Sequence, residues 1–126
     1  MHEPVILNAR GHPLRQKPLW FIYQAASADG RAYIGVTSRP VHERWQAHLT
    51  QAKTAAANGP LHKAIRELGA DAFSVTILAE AISLQDAADK EARYIRERDT
   101  IAPAGYNIRR HGLAGARMTN RLIERF

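Results

Sequence analysis

Apolar positions recur in two rhythms along this chain, and the changes of rhythm mark its elements. Residues 19–26 (LWFIYQAA) are dense in aromatic and apolar side chains. Residues 31–37 (RAYIGVT) resume that character after Asp29-Gly30, a hairpin turn pair. A four-residue rhythm follows: Val41, Trp45 and Leu49 form the stripe of a helix, with Arg44 and His48 on its flank. Thr37 or Ser38 is the expected cap of that helix and Pro40 stands in its first turn. Residues 53–59 (KTAAANG) read as a loop. A short helix starts at Pro60, buries Leu61, Ala64, Ile65 and Leu68, and ends at Gly69. Phe73, Val75 and Ile77 alternate in a third strand over 72–80. Ser83 then caps a long helix over about 84–99, and 103–111 form a turn and a short strand. The order β-β-α-α-β-α predicts an α+β fold, a small three-stranded antiparallel sheet packed with three helices on one side. The spacing of Tyr23 and Tyr33 decides the hairpin's chemistry. Paired in register they share a face; a slip of one residue separates them. A shared face is the expectation.

Composition changes the picture in one respect. The 126 residues suit one domain. The absence of cysteine excludes disulfides and thiolate metal sites. No apolar run reaches a membrane span and no signal-peptide pattern opens the chain, so a reducing, cytoplasmic setting is expected. The net charge of +6 is what distinguishes the chain. A small basic domain attracts polyanions, nucleic acid first among them. The charge is unevenly placed. A basic arm, 1–18, carries Arg10, Arg15 and Lys17. A basic extension, 112–126, repeats Arg117, Arg121 and Arg125 every four residues beside Met118, Leu122 and Phe126, a helical spacing. Those three arginines are either a solvated helix face or phosphate contacts.

One carboxylate breaks the pattern of the long helix. Leu84, Ala88, Ala92 and Ile95 share one arc, and the other charged residues lie opposite. Glu91, three after Ala88 and four before Ile95, points along the edge of the buried stripe. An unpaired buried carboxylate is costly, so Glu91 is expected to meet an arginine, a metal ion or water in a cleft. A structural salt bridge to Arg44 or Arg98 is the plainer possibility.

In this order the pieces resemble a GIY-YIG endonuclease domain, across about residues 20–111. "FIYQ" (21–24) stands at the GIY, with Phe21 replacing its glycine, and "AYIGVT" (32–37) holds the YIG at Tyr33, Ile34 and Gly35. "ERWQAH" (43–48) is similar to the arginine-x-x-x-histidine helix, "KEARYI" (90–95) to the glutamate helix and "GYN" (105–107) to the terminal motif. The module is similar to the nuclease domains of phage intron homing endonucleases. The domain is set at 19–111. The resemblance implies a metal-dependent endonuclease that hydrolyses DNA phosphodiester bonds, one strand per active site, as a monomer or weak homodimer. Compact size favours single-stranded or branched DNA. It implies Glu91 as the ligand of Mg²⁺ (or Mn²⁺). Arg44 would grip the scissile phosphate. Tyr33 would activate water, its pKa lowered by Arg44 and the metal, and Tyr23 would position water or phosphate. His48 would relay a proton or touch phosphate, and Asn107 would buttress the site. Lys63, Arg109, Arg110, Arg117, Arg121 and Arg125 are the further nucleic-acid candidates, although Lys63 and Arg66 also suit a solvated helix face. Taken singly, the tyrosines equally suit core aromatics with satisfied hydroxyls. Trp20 and Trp45 read as core, and His2, His12, His42, His62 and His111 as surface groups without chemistry. A non-catalytic DNA-binding or scaffold domain of the same fold is the competing function. A histidine-metal nuclease lacks paired ligand spacing.

Overall fold

The computed structural model describes residues 18–54 and 56–108, together with Ala9. The expected basic arm and basic extension, with Arg109, Arg110, Arg117, Arg121 and Arg125, therefore lie outside the described residues apart from Ala9 and Pro18. The expected element order is present: β1 Trp20–Ser27, β2 Ala32–Thr37, α1 Val41–Ala52, α2 Pro60–Leu68, β3 Phe73–Ala81 and α3 Leu84–Arg98. A single 3₁₀ turn, Ala70–Ala72, leads into β3. The sheet is antiparallel with β1 in the centre, in the order β2-β1-β3.

Hairpin geometry sets the register. The loop has three residues, Ala28 to Gly30, closed by Ser27 N to Arg31 O at 2.8 Å and Gly30 N to Ser27 O at 3.0 Å. Gly30 takes φ +90, a conformation that disfavours any residue with a Cβ. Asp29 accepts from Arg31 N at 3.0 Å and from its guanidinium at 2.7 Å, so the turn is held by its own side chains. Tyr33 consequently stands opposite Ala25, and Tyr23 opposite Gly35. A two-residue loop at Asp29-Gly30 would place Tyr33 opposite Ala26, on the other face from Tyr23. The two phenols do share a face, as diagonal neighbours with ring centroids 6.2 Å apart.

The helices do not all lie on one side. Ile22 and Ile34 pack with Ala81 and with Ala87 and Ile95 of α3. Tyr33 and Phe73, from alternate strand positions, pack with Trp45, Leu49 and Ala52 of α1 and with Leu61, Ala64 and Ile65 of α2. Side chains alternate across a strand, so α3 covers one face and the α1–α2 pair the other. One apolar face per sheet underlay the one-sided expectation. Here Ile22 and Tyr23 are both fully buried, and both faces need cover. Trp20 and Trp45 join the two cores, as expected.

Helix ends follow local chemistry with one exception. Ser83 Oγ accepts from Asp86 N at 3.0 Å, and Gly69 ends α2 at φ +83. At α1 the N-cap is Pro40, without a side-chain cap. Thr37 Oγ1 instead accepts from Arg39 N at 3.0 Å, a turn just ahead of the helix. Arg66 does more than face solvent: its Nη1 donates to Ala57 O at 2.6 Å and Ala52 O at 3.1 Å, pinning the α1–α2 loop.

The expected short strand over 103–111 is reduced to one bridge, Ile101 with Asn107, and the segment works as a clip. Tyr106 N donates to Ala32 O at 2.9 Å. The Asn107 side chain then pairs with the next outward-facing residue of β2. Its Oδ1 accepts from Ile34 N at 2.8 Å and its Nδ2 donates to Ile34 O at 2.9 Å. One amide side chain thus supplies the bonds of a missing strand and shields an open edge.

Gly35 is the tightest point of the sheet. A Cβ there would come within 2.5 Å of the Tyr23 hydroxyl oxygen, whereas nothing stands within 4 Å of one at Gly59. Gly35→Ala is expected to cost about 1–3 kcal/mol in urea unfolding, by overpacking a core that does not yield. Gly59→Ala, at an open N-cap, should cost under about 1 kcal/mol.

Candidate active site

Tyr23 presents its ring over Gly35 and its hydroxyl towards α1. There it meets His48 Nε2 at 2.8 Å, a bond in which both side chains are buried. This contact explains why α1 is rotated from its expected setting. Val41, His48 and Ala52 are the buried residues, and Trp45 and Leu49 are half-buried. His48 Nδ1 lies 3.4 Å from His62 Nε2 on α2, and its ring stacks edge-on against Tyr33 at 5.5 Å between centroids. α3 shows the same displacement. Its buried residues are Ala87, Ala88, Glu91 and Ile95, which puts Glu91 in the middle of the stripe at 1 % exposure.

Tyr33, Arg44, His48, His62 and Asn107 line one cavity of about 300 Å³, completed by Gly59, Pro60, Leu61, Tyr106 and Ile108. Tyr23 stands behind the His48 ring, fully buried. Glu91 approaches from α3, on the other side of the sheet, yet its charge acts on both phenols. The structure therefore lines one cavity with Tyr33, Arg44 and His48, sets Tyr23 against His48, and keeps Glu91 outside the cavity lining, where its charge is felt at both phenols. Lys63 is exposed on α2 and is not part of the cavity wall. Asn107 borders the cavity, but its amide is bonded to Ile34 and its Oδ1 also accepts from Thr100 Oγ1 at 2.8 Å. That is the arrangement of a buttress.

The sequence alone places His62 at the surface, and the structure corrects this. It is half-buried, packed against His48, and part of the cavity wall. Its spacing on α2 contains no signal for this, because the contact is made by a different helix. Tyr106 is likewise a cavity residue, held by a 2.7 Å bond between its hydroxyl and Ser27 Oγ.

Burial sets the protonation of the cluster. Burial, then the neighbouring Tyr33, lifts the Tyr23 phenol well above its ordinary range, with Arg44 pulling the other way through its charge and a hydrogen bond. Burial, then the Glu91 charge, raises Tyr33 as well, so the free site does not lower this phenol as expected. Burial, then Arg44 and His62, pushes His48 down to about 3. His62 is lowered by burial, Arg44 and Arg66. Near neutrality Tyr23 is thus a phenol and His48 a neutral ring. A neutral His48 ring carries one proton, so of its two contacts, Nε2 with Tyr23 Oη at 2.8 Å and Nδ1 with His62 Nε2 at 3.4 Å, it donates in one and accepts in the other.

No three His, Asp or Glu side chains converge as a metal cluster among the described residues. The candidate donor is a hard oxygen, the Glu91 carboxylate, whose charge is felt at two phenols. It fits a cation that binds through few protein groups and keeps much of its water, as Mg²⁺ does.

The model of the GIY-YIG catalytic domain matches residues 19–107. This chain belongs to the GIY-YIG family. Two solved structures share its fold. One is a mutant of the catalytic domain of intron endonuclease I-TevI, with TM-score 0.62 and 22 % identity, covering 70 % of this chain and 91 % of that one. The other is the catalytic domain of homing endonuclease I-TevI, with TM-score 0.58 and 22 % identity, covering 71 % and 98 %. No curated protein matches significantly. Membership makes this a nuclease domain. Among the described residues no helix is long and apolar enough to cross a membrane.

The neutral His48 gives a testable pH dependence. Its folded pKa lies below the unfolded value, so the unfolded chain binds the extra proton between the two. The stabilisation is complete above about pH 6.5 and declines as pH falls towards 3. His48→Gln should flatten the slope of unfolding free energy against pH between 6 and 4 by up to about 1.4 kcal/mol per unit, read from urea melts. An unchanged slope would mean that His48 titrates normally.

Proposed function

We propose that this GIY-YIG domain is a metal-dependent endonuclease that hydrolyses phosphodiester bonds in DNA, one strand per site. The observation that carries the reading is the convergence of Tyr33, Arg44 and His48 on one cavity with the Glu91 charge acting on both phenols. Hydrolysis needs a held phosphate, an activated water and compensation of developing negative charge.

Arg44 holds the scissile phosphate. It is half-buried on the cavity wall, and its fork matches two phosphate oxygens. Tyr33, the phenol on that wall, faces the attacking water. Glu91 would hold the metal ion, and Mg²⁺ or Mn²⁺ held there would supply positive charge against the negative charge that develops during hydrolysis. Neutralising the Glu91 charge also removes one of the two causes that raise Tyr33. Tyr23 acts through His48, because its hydroxyl is bonded to that ring. His48 and His62 continue the chain of bonds to the cavity as a route for a proton. Lys63 and the arginines at 109, 110, 117, 121 and 125 are proposed as phosphate contacts along the strand. A cavity of about 300 Å³ suits a single strand or a branch point, whose backbone enters without a stacked duplex. The enzyme is expected to work as a monomer or weak homodimer.

Matched single- and double-stranded oligonucleotides incubated with Mg²⁺ provide the test. Wild-type protein should cut and EDTA should stop it. Glu91→Ala should lose at least about 100-fold in rate, as expected when a group that stabilises transition-state charge is removed. Arg44→Lys should fall almost as far, since an ammonium cannot fork. Glu91→Ala cutting at the wild-type rate would overturn the mechanism.

A further inference from the structure

The candidate cavity is lined by two unlike sets of side chains, a polar wall and an apolar one. Tyr33, Arg44 and His48 present hydroxyl, guanidinium and imidazole groups. The same lining includes Pro60, at the start of α2, and Ile108, just beyond the Asn107 clip. His62 joins the two. Ile108 is 69 % exposed, the highest value among the exposed large apolar side chains of the described residues, and it sits at the cavity rather than on a remote surface. Nothing in phosphate chemistry explains that wall. A nucleic-acid strand offers an enzyme two kinds of surface, the charged backbone and the flat apolar faces of its bases. The first wall suits the backbone; the second suits a base.

We propose that Pro60, His62 and Ile108 form a subsite that takes an unstacked nucleobase next to the scissile phosphate. The inference rests on the endonuclease reading above and adds a substrate class to it: DNA in which that base is already free of its stack. Continuity of the two walls argues for one occupant. A base seated on Ile108 belongs to the nucleotide whose phosphate lies at Arg44, so binding energy from the base is spent on placing the phosphate. Burial and its cationic neighbours hold His62 below its usual range, which leaves its ring neutral and able to stack. In a duplex the base must first leave its partner and its stack; in a single strand or at a junction that cost is mostly absent. The subsite therefore favours unpaired DNA through chemistry at Ile108 and Pro60, independently of the size of the domain.

The test uses the full chain, Mg²⁺ and a single-stranded oligonucleotide cut at a mapped bond. A stable tetrahydrofuran abasic residue replaces, in turn, each nucleotide flanking that bond. For one of the two positions the abasic substrate should raise KM about tenfold, the scale of losing one stacked base. Ile108→Ser, a change at an exposed position, should raise KM similarly on the natural strand and add little on the abasic one. Such non-additivity is the signature of direct contact. Equal KM for abasic and natural strands would overturn the subsite while leaving the endonuclease reading intact. So would an Ile108→Ser effect of the same size on both strands. Failure of the wild-type chain to cut any DNA would sink both proposals.

Discussion

The Tyr23 ring lies on Gly35 because three residues, and not two, join β1 to β2. That parity is the constraint on which the site depends. With Ala28, Asp29 and Gly30 in the loop, Tyr23, Ala25, Tyr33 and Gly35 all fall on one face of the sheet. Removal of one loop residue would send Tyr33 to the α3 side and Ile34 to the α1 side, exchanging the site for the core. The missing side chain at Gly35 makes room for a phenol over the backbone of β2. The hydroxyl of that phenol can then reach α1. Ser27, at the end of β1, extends the same logic outward by bonding Tyr106, which aligns the clip that closes the β2 edge.

A second regularity follows from the first. α1 and α3 each bury a polar residue on the stripe where an apolar one would be expected, His48 in one and Glu91 in the other. Each helix is turned by about 40°, less than half of one residue's rotation, from the setting its apolar residues alone would choose. Burial of polar groups is tolerated only when they are bonded, and among the described residues no buried side-chain nitrogen or oxygen lacks a partner. The site is therefore part of the packing. Its phenols and rings are held neutral by burial, and the charges felt there are the Arg44 guanidinium and the Glu91 carboxylate.

What could be read in the chain follows how local each signal is. Gly30, Ser83 and Gly69 act within a few residues of themselves, and the turn and helix ends they mark were legible. The shared face of Tyr23 and Tyr33 was legible as a condition on register. The rotation of α1 was not, because it depends on a hydroxyl 25 residues away in sequence. His62 was missed for the same reason: its partner lies on another helix. Placement of helices on both faces escaped an argument that assumed one apolar face, although Ile22 and Tyr23 side by side already called for two. Glu91 stood out by sequence alone, since a carboxylate near an apolar stripe violates a strong rule. The site is thus most legible where it breaks the rules of folding and least legible where it obeys them.

The account turns on whether Glu91 binds the divalent cation. Electron paramagnetic resonance of Mn²⁺ titrated with the protein and a phosphorothioate single strand reads that step without cleavage. The wild-type chain should bind one Mn²⁺, and Glu91→Gln, which keeps size but removes the charge, should weaken it at least about tenfold, the lower bound for loss of a ligand or its supporting shell. Equal Mn²⁺ affinity in the two proteins would contradict the account.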